Sequence, residues 1–198
     1  MESTRKKTRK LTYIAFLSAL IVVLQLLTYF IKAGPFNMSF VLIPIVLGGM
    51  LFGPGAGAFL GGVFGAIVVV VSIAGLDVGG NMVFAANPFL CVVLCMLKGI
   101  AAGWVSALVF KALDGKINHL AAIAIAAGIA PICNTGIFIV GMLMFFRDVL
   151  SAWSGGTDLL VYVITGIAGI NFIVEFLLNV IVAPLIVPPV ENAVKKSK

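Results

Sequence analysis

Charge is what this 198-residue chain has least of: 10% of its residues are Asp, Glu, Lys or Arg, and only seven of those are acidic. No polar stretch is long enough to form an aqueous domain, which excludes a chain built around a soluble catalytic or nucleic-acid-binding module. Histidine occurs once, at His119, and cysteine three times, at Cys91, Cys95 and Cys133. One histidine at a helix end excludes a serine–histidine hydrolase arrangement inside the apolar spans. Cys91 and Cys95 share a helix face, but His119 is too far along the chain to complete a metal site with them. The thiols therefore read as small apolar packing groups, and neither metal nor cofactor is expected. The sequence contains no G-x-x-x-x-G-K-[ST] phosphate loop, so the chain is not its own ATPase.

What remains is hydrophobicity. Residues of hydrophobic type make up 62% of the chain, and the mean hydropathy is +1.24. The apolar runs cover about Leu11–Ile31, Phe36–Phe52, Ala56–Ile73, Pro88–Leu113, Leu120–Phe146 and Leu159–Val187. A helix needs roughly 20 such residues to cross a bilayer, because lipid cannot satisfy exposed backbone groups. The second run is near the lower limit of about 17. The reading is a single all-α integral membrane domain of six transmembrane helices. The net charge of +6 is placed accordingly: Arg5, Lys6, Lys7, Arg9 and Lys10 precede the first run, and Lys195, Lys196 and Lys198 follow the last. Basic flanks mark the cytoplasmic side, so both termini are expected there. The first run is too long for a usual signal-peptide core and no A-x-A-like site closes it, so it reads as a retained span.

Polar groups inside spans cost free energy unless they are satisfied, so each requires a reason. The last run carries Asn171, Glu175 and Asn179 at a spacing of four, the fifth carries Asn134 and Thr135 just after Pro131, and the fourth carries Lys98 near mid-depth. Lys98 and Glu175 either pair with each other or line a polar solute pocket in which Lys98 receives an anionic group. Gln25 in the first run is a further candidate lining group. The connection Ala74–Asn87, with Gly75, Gly79 and Gly80, has the length and backbone freedom of a lid, and its Asn81 and Asn87 join the candidate substrate-binding residues. The connection from Lys32 to Asn37 is short and constrained by Pro35. The connection Arg147–Asp158, with Trp153 before Ser154-Gly155-Gly156, is a further candidate for the lid, or Trp153 serves as an interfacial anchor.

Small residues suggest where helices meet. Gly57-x-x-x-Gly61-x-x-x-Gly65 allows close backbone approach inside the bundle, and Ala15-x-x-x-Ala19 in the first run offers the same to another helix of this chain or to a partner.

These features together resemble the substrate-binding S component of an energy-coupling factor (ECF) transporter. The likeness is concentrated in Asn37–Gly65, NMSFVLIPIVLGGMLFGPGAGAFLGGVFG, with its Ile-Pro centre and Leu-Phe-Gly-Pro-x-x-Gly-Ala motif. The stretch Lys98–Lys111 and the pair Asn134-Thr135 are similar to the pantothenate-type branch. In that branch a basic residue, often arginine, holds the place of Lys98; here it is a point charge rather than a planar fork. The resemblance implies a multi-pass protein of the bacterial cell membrane that binds a vitamin and is not itself an enzyme. It further implies docking onto a transmembrane coupling protein driven by two ABC ATPase subunits, with Ala15 and Ala19 facing that partner. Two other classes stay open on the residues alone: a solitary transporter coupled to ions through Glu175, and a non-transporting scaffold of envelope assembly.

Overall fold

The computed structural model describes residues 2–30, 40–167 and 169–196. Those residues form helices and short connections, with no β-strand among them. In chain order the helices are α1 (Glu2–Phe30), α2 (Leu42–Phe52), α3 (Pro54–Ile73), α4 (Val78–Ala86), α5 (Pro88–Leu113), α6 (His119–Phe145), α7 (Arg147–Ser154), α8 (Leu159–Tyr162) and α9 (Ile170–Lys196). A π-helical segment, Val163–Ile167, lies between α8 and α9.

Local chemistry explains the boundaries. Gly53 separates α2 from α3 at φ 93°, a region that L side chains avoid, and Pro54 then starts α3 where its missing N–H costs nothing. α5 starts similarly: the Asn87 side chain accepts from the Leu90 amide at 3.0 Å, with Pro88 next in sequence. Asn118 caps α6 by accepting from Leu120 at 2.9 Å, and Asp158 caps α8 by accepting from Leu160 at the same distance.

The pairing of α3 with α5 is the most extensive helix contact in the molecule. A Cβ added to Gly57 would meet the Gly103 carbonyl, one on Gly61 the Gly99 carbonyl, and one on Gly65 would stand 2.6 Å from the Cys95 carbonyl oxygen. Gly99 and Gly103 answer from α5, where added Cβ atoms would meet the carbonyls of Gly61 and Gly57. In lipid there is no hydrophobic drive between helices, so this backbone proximity supplies dispersion contact that larger residues would prevent. The glycine spacing thus serves internal packing, as its sequence pattern suggests. Around this pair, α6 packs on α5, α9 on α6, and α1 and α2 on α3. The core between them contains Ile21, Leu42, Ile45, Leu60, Ile123 and Met142, all fully buried.

Among the described residues five helices are long and apolar enough to cross a membrane; α2, inside the expected second span, has 11 residues, about 16 Å at 1.5 Å per residue. Residues 36–39 of the expected second span, and the connection from Lys32 to Asn37, lie outside the described residues. The expected last span is not one continuous α-helix, since α8 gives way to the π-helical segment at Val163. The expected lid is largely helical: α4 fills most of Ala74–Asn87 because Val83 turns inward to a buried position and ties the segment to the core.

Candidate functional site

A cavity of about 640 Å³ opens between the helices at the α4–α7 end of the bundle. Its walls come from every element from α3 to α9. α3 contributes Val68 and Ser72, α5 contributes Cys91, Leu94, Cys95 and Lys98, and α6 contributes Asn134, Thr135 and Phe138. Asn171, Phe172 and Glu175 of α9 complete the polar wall. Asp77, the residues of α4 from Val78 to Val83 other than Asn81, Trp153 of α7 and Tyr162 of α8 close around the mouth.

Helical spacing places these groups. Cys91, Cys95 and Lys98 stand at i, i+4 and i+7 on α5, Asn134 and Phe138 at i and i+4 on α6, and Asn171 and Glu175 likewise on α9, so each helix directs one stripe into one space. Pro131 sits one turn before Asn134 and lacks the amide that would bond to the Ala127 carbonyl.

Lys98 is the electrostatic centre of the cavity. Its ammonium lies 4.8 Å from the centroid of the Phe138 ring and 5.9 Å from that of Phe64, within range of the negative ring faces. Among the described residues it forms no ion pair within 4.0 Å, with Glu175 or any other carboxylate. The cation is therefore held against aromatic faces and makes no direct ion pair. The Asn134 Oδ1 is buried and accepts no hydrogen bond from the protein. An acceptor left in that state costs about 1–3 kcal/mol, which a donor entering the cavity would recover.

Glu175 is half-buried, and its backbone carbonyl accepts from the Asn179 Nδ2 at 2.8 Å. Asn179 is 1% exposed and absent from the cavity wall, so the polar stripe of α9 divides between lining (Asn171, Glu175) and packing (Asn179). The four intramembrane candidates Lys98, Asn134, Asn171 and Glu175 thus share one cavity.

Asn81 and Asn87 do not line it. The Asn81 Nδ2 donates to the Ser72 carbonyl at 3.0 Å and fastens α4 to α3, while Asn87 is occupied in capping α5. Gln25 is buried in α1, away from the cavity. Trp153 faces the cavity mouth, donating from Nε1 to the Met82 Sδ at 3.3 Å, and Gly79 leaves the space its ring needs: an added Cβ there would lie 3.3 Å from it. That position joins α7 to α4. Residues that the sequence did not single out include Ser72, Asp77, Phe138, Tyr162 and Phe172. Only Phe138 carried a signal, its i+4 offset from Asn134.

Ala15 and Ala19 are exposed on α1, whose opposite side buries Leu17, Ile21, Gln25 and Thr28. The alanine face is thus not covered by any described element of the chain. Phe16 and Val23 widen it into an apolar surface, 66% and 52% exposed.

The model of a family described as "ECF transporter, substrate-specific component" matches residues 9–187. The chain is also similar to the pantothenic acid transporter PanT of Lactococcus lactis subsp. cremoris (strain MG1363), with 28% identity over 203 residues, covering 96% of this chain and 97% of that protein.

Proposed function

The chain belongs to the substrate-specific components of ECF transporters, and on that premise we propose that it is the high-affinity binding subunit of an ABC-type importer for pantothenate or a closely related acidic vitamin. The observation that carries this reading is the Lys98 ammonium, which lines a 640 Å³ cavity and has no carboxylate of the described residues within 4.0 Å. A cation held in that way has its strongest complement in a ligand carboxylate, since charge-assisted hydrogen bonds are roughly twice as strong as neutral ones. Asn134, with its unpartnered acceptor, suits a hydroxyl or amide N–H elsewhere on the same ligand. Asn171 and Glu175 supply further hydrogen-bonding capacity, while Phe138, Phe172 and Tyr162 provide apolar wall for a carbon skeleton. The similarity to PanT supports pantothenate within this class.

In this reading both termini are cytoplasmic, six segments cross the membrane, and the cavity mouth framed by α4 and α7 faces the outside. The exposed Ala15–Ala19 face receives a transmembrane coupling protein. Two ABC ATPase subunits on other chains power uptake, so the chain itself catalyses no reaction. Mass spectrometry of small molecules that co-purify with the solubilised protein tests the ligand assignment. Pantothenate or another carboxylate vitamin is the expected species; a cationic or wholly apolar ligand would overturn it.

A further inference from the structure

Cys91 and Cys95 are adjacent on the cavity-facing stripe of α5, one turn from Lys98. Positions four apart on a helix place their Cβ atoms roughly 5–6 Å from each other. Both cysteines are free thiols, 1% and 6% exposed, and the surface they do present belongs to the cavity wall. Cys133, the third cysteine, is half-buried and lies outside that wall. The backbone that carries the pair is closely packed, because Gly65 of α3 lies directly on the Cys95 carbonyl. Two sulfurs at neighbouring positions on one helix, both in the wall of a polar cavity, make a chelating arrangement that a lone buried cysteine does not.

We propose that Cys91 and Cys95 form a dithiol modification site in the cavity wall that takes trivalent arsenicals, reagents that bridge two sulfurs. With phenylarsine oxide the chemistry balances without a redox partner. Each thiol gives up its proton as its sulfur bonds to arsenic, the arsenic–oxygen bonding breaks, and the oxygen leaves with both protons as one water. Arsenic stays trivalent and the phenyl group remains attached. The second arsenic–sulfur bond closes intramolecularly, so the bridged product resists monothiols that would displace a singly bonded arsenic. A phenylarsenic group on this stripe stands beside Lys98 and excludes solute from the cavity, a consequence that rests on the cavity being the solute site proposed above.

The test treats the purified full-length protein in detergent with phenylarsine oxide and measures its intact mass. One phenylarsenic group per chain, less two hydrogens, is expected; it should survive excess glutathione and be released by 2,3-dimercaptopropanol. Peptide mapping of that wild-type adduct should place it on the segment containing Cys91 and Cys95, a result that does not depend on any variant folding. Cys91→Ala and Cys95→Ala should each lose the glutathione-resistant adduct, and Cys133→Ala should keep it. An adduct mapped to Cys133, or the absence of a glutathione-resistant adduct on the folded wild-type protein, overturns the assignment. Pantothenate titration of the modified protein is read separately. Loss of binding that returns with the dimercaptan supports blockade, and full binding by stoichiometrically modified protein contradicts it. If the unmodified protein does not bind pantothenate, the ligand assignment fails and the mapping still decides the dithiol site.

Discussion

Lys98 holds its ammonium 4.8 Å from the ring centroid of Phe138 and forms no ion pair with Glu175, although both side chains line one cavity. A direct pair would have spent the charge of Lys98 inside the protein. Aromatic faces stabilise the cation by about 0.5–2 kcal/mol without supplying an anion, which leaves it free to recognise one. The same division between support and recognition extends to Asn134, whose buried Oδ1 has no donor in the protein.

That unpartnered oxygen yields a prediction in which stability and binding move apart. Removing a buried, unsatisfied acceptor relieves a cost, while removing the group that meets a ligand donor loses a hydrogen bond. Asn134→Leu should therefore leave the thermal midpoint of the ligand-free protein unchanged or raised, and weaken pantothenate binding by about 0.5–1.5 kcal/mol. Paired melting and titration in detergent check both halves. A lowered midpoint with unchanged affinity would assign Asn134 to structure.

The glycine contact between α3 and α5 gives a stability prediction with its own control. A Cβ at Gly61 would collide with the Gly99 backbone, which has no flexible side chain to yield, whereas one at Gly136 in α6 meets nothing within 4 Å. Gly61→Ala should lower stability by about 1–3 kcal/mol, the range of overpacking in a filled core. Gly136→Ala should be neutral or stabilising by up to about 1 kcal/mol, since glycine is a poor helix former. Thermal unfolding of both variants against the wild type measures the difference; equal behaviour would deny the close α3–α5 approach.

How far the site could be read from the sequence depends on how ambiguous each residue type is in its setting. Lys98, Asn134, Asn171 and Glu175 were legible because a polar side chain within an apolar span has few explanations. Asn81 and Asn87 were ambiguous, because asparagine outside a span is equally suited to capping and turns, and here Asn87 caps α5 while Asn81 braces α4. The aromatic walls were illegible, since Phe138, Phe172 and Tyr162 look like any other apolar residues until packing aims them at one space. The five long helices followed from composition. The π-helical break before α9 did not, because hydropathy does not register how backbone hydrogen bonds are paired along an apolar run.

The exposed alanine face of α1 predicts a separation of uptake from binding. Ala15→Leu together with Ala19→Leu would hold a docking helix away from near-backbone contact, and lipid offers no drive to restore that packing. Both positions are exposed and lie opposite the buried side of α1, so the bundle tolerates the change. ATP-dependent uptake into vesicles containing the coupling protein and ATPases should be abolished, with pantothenate affinity of the isolated protein nearly intact. Unimpaired uptake would remove the docking assignment, and loss of affinity together with uptake would place this face in the chain's own packing.

The central claim, that a Lys98 with no direct ion pair selects an acidic vitamin, is tested most directly by titrating pantothenate into the purified protein and its Lys98→Met variant. The account predicts saturable binding by the wild type and an affinity lower by about 1.5–3 kcal/mol in the variant, the scale of a hydrogen bond to a charged group. Equal dissociation constants for the two proteins would contradict it.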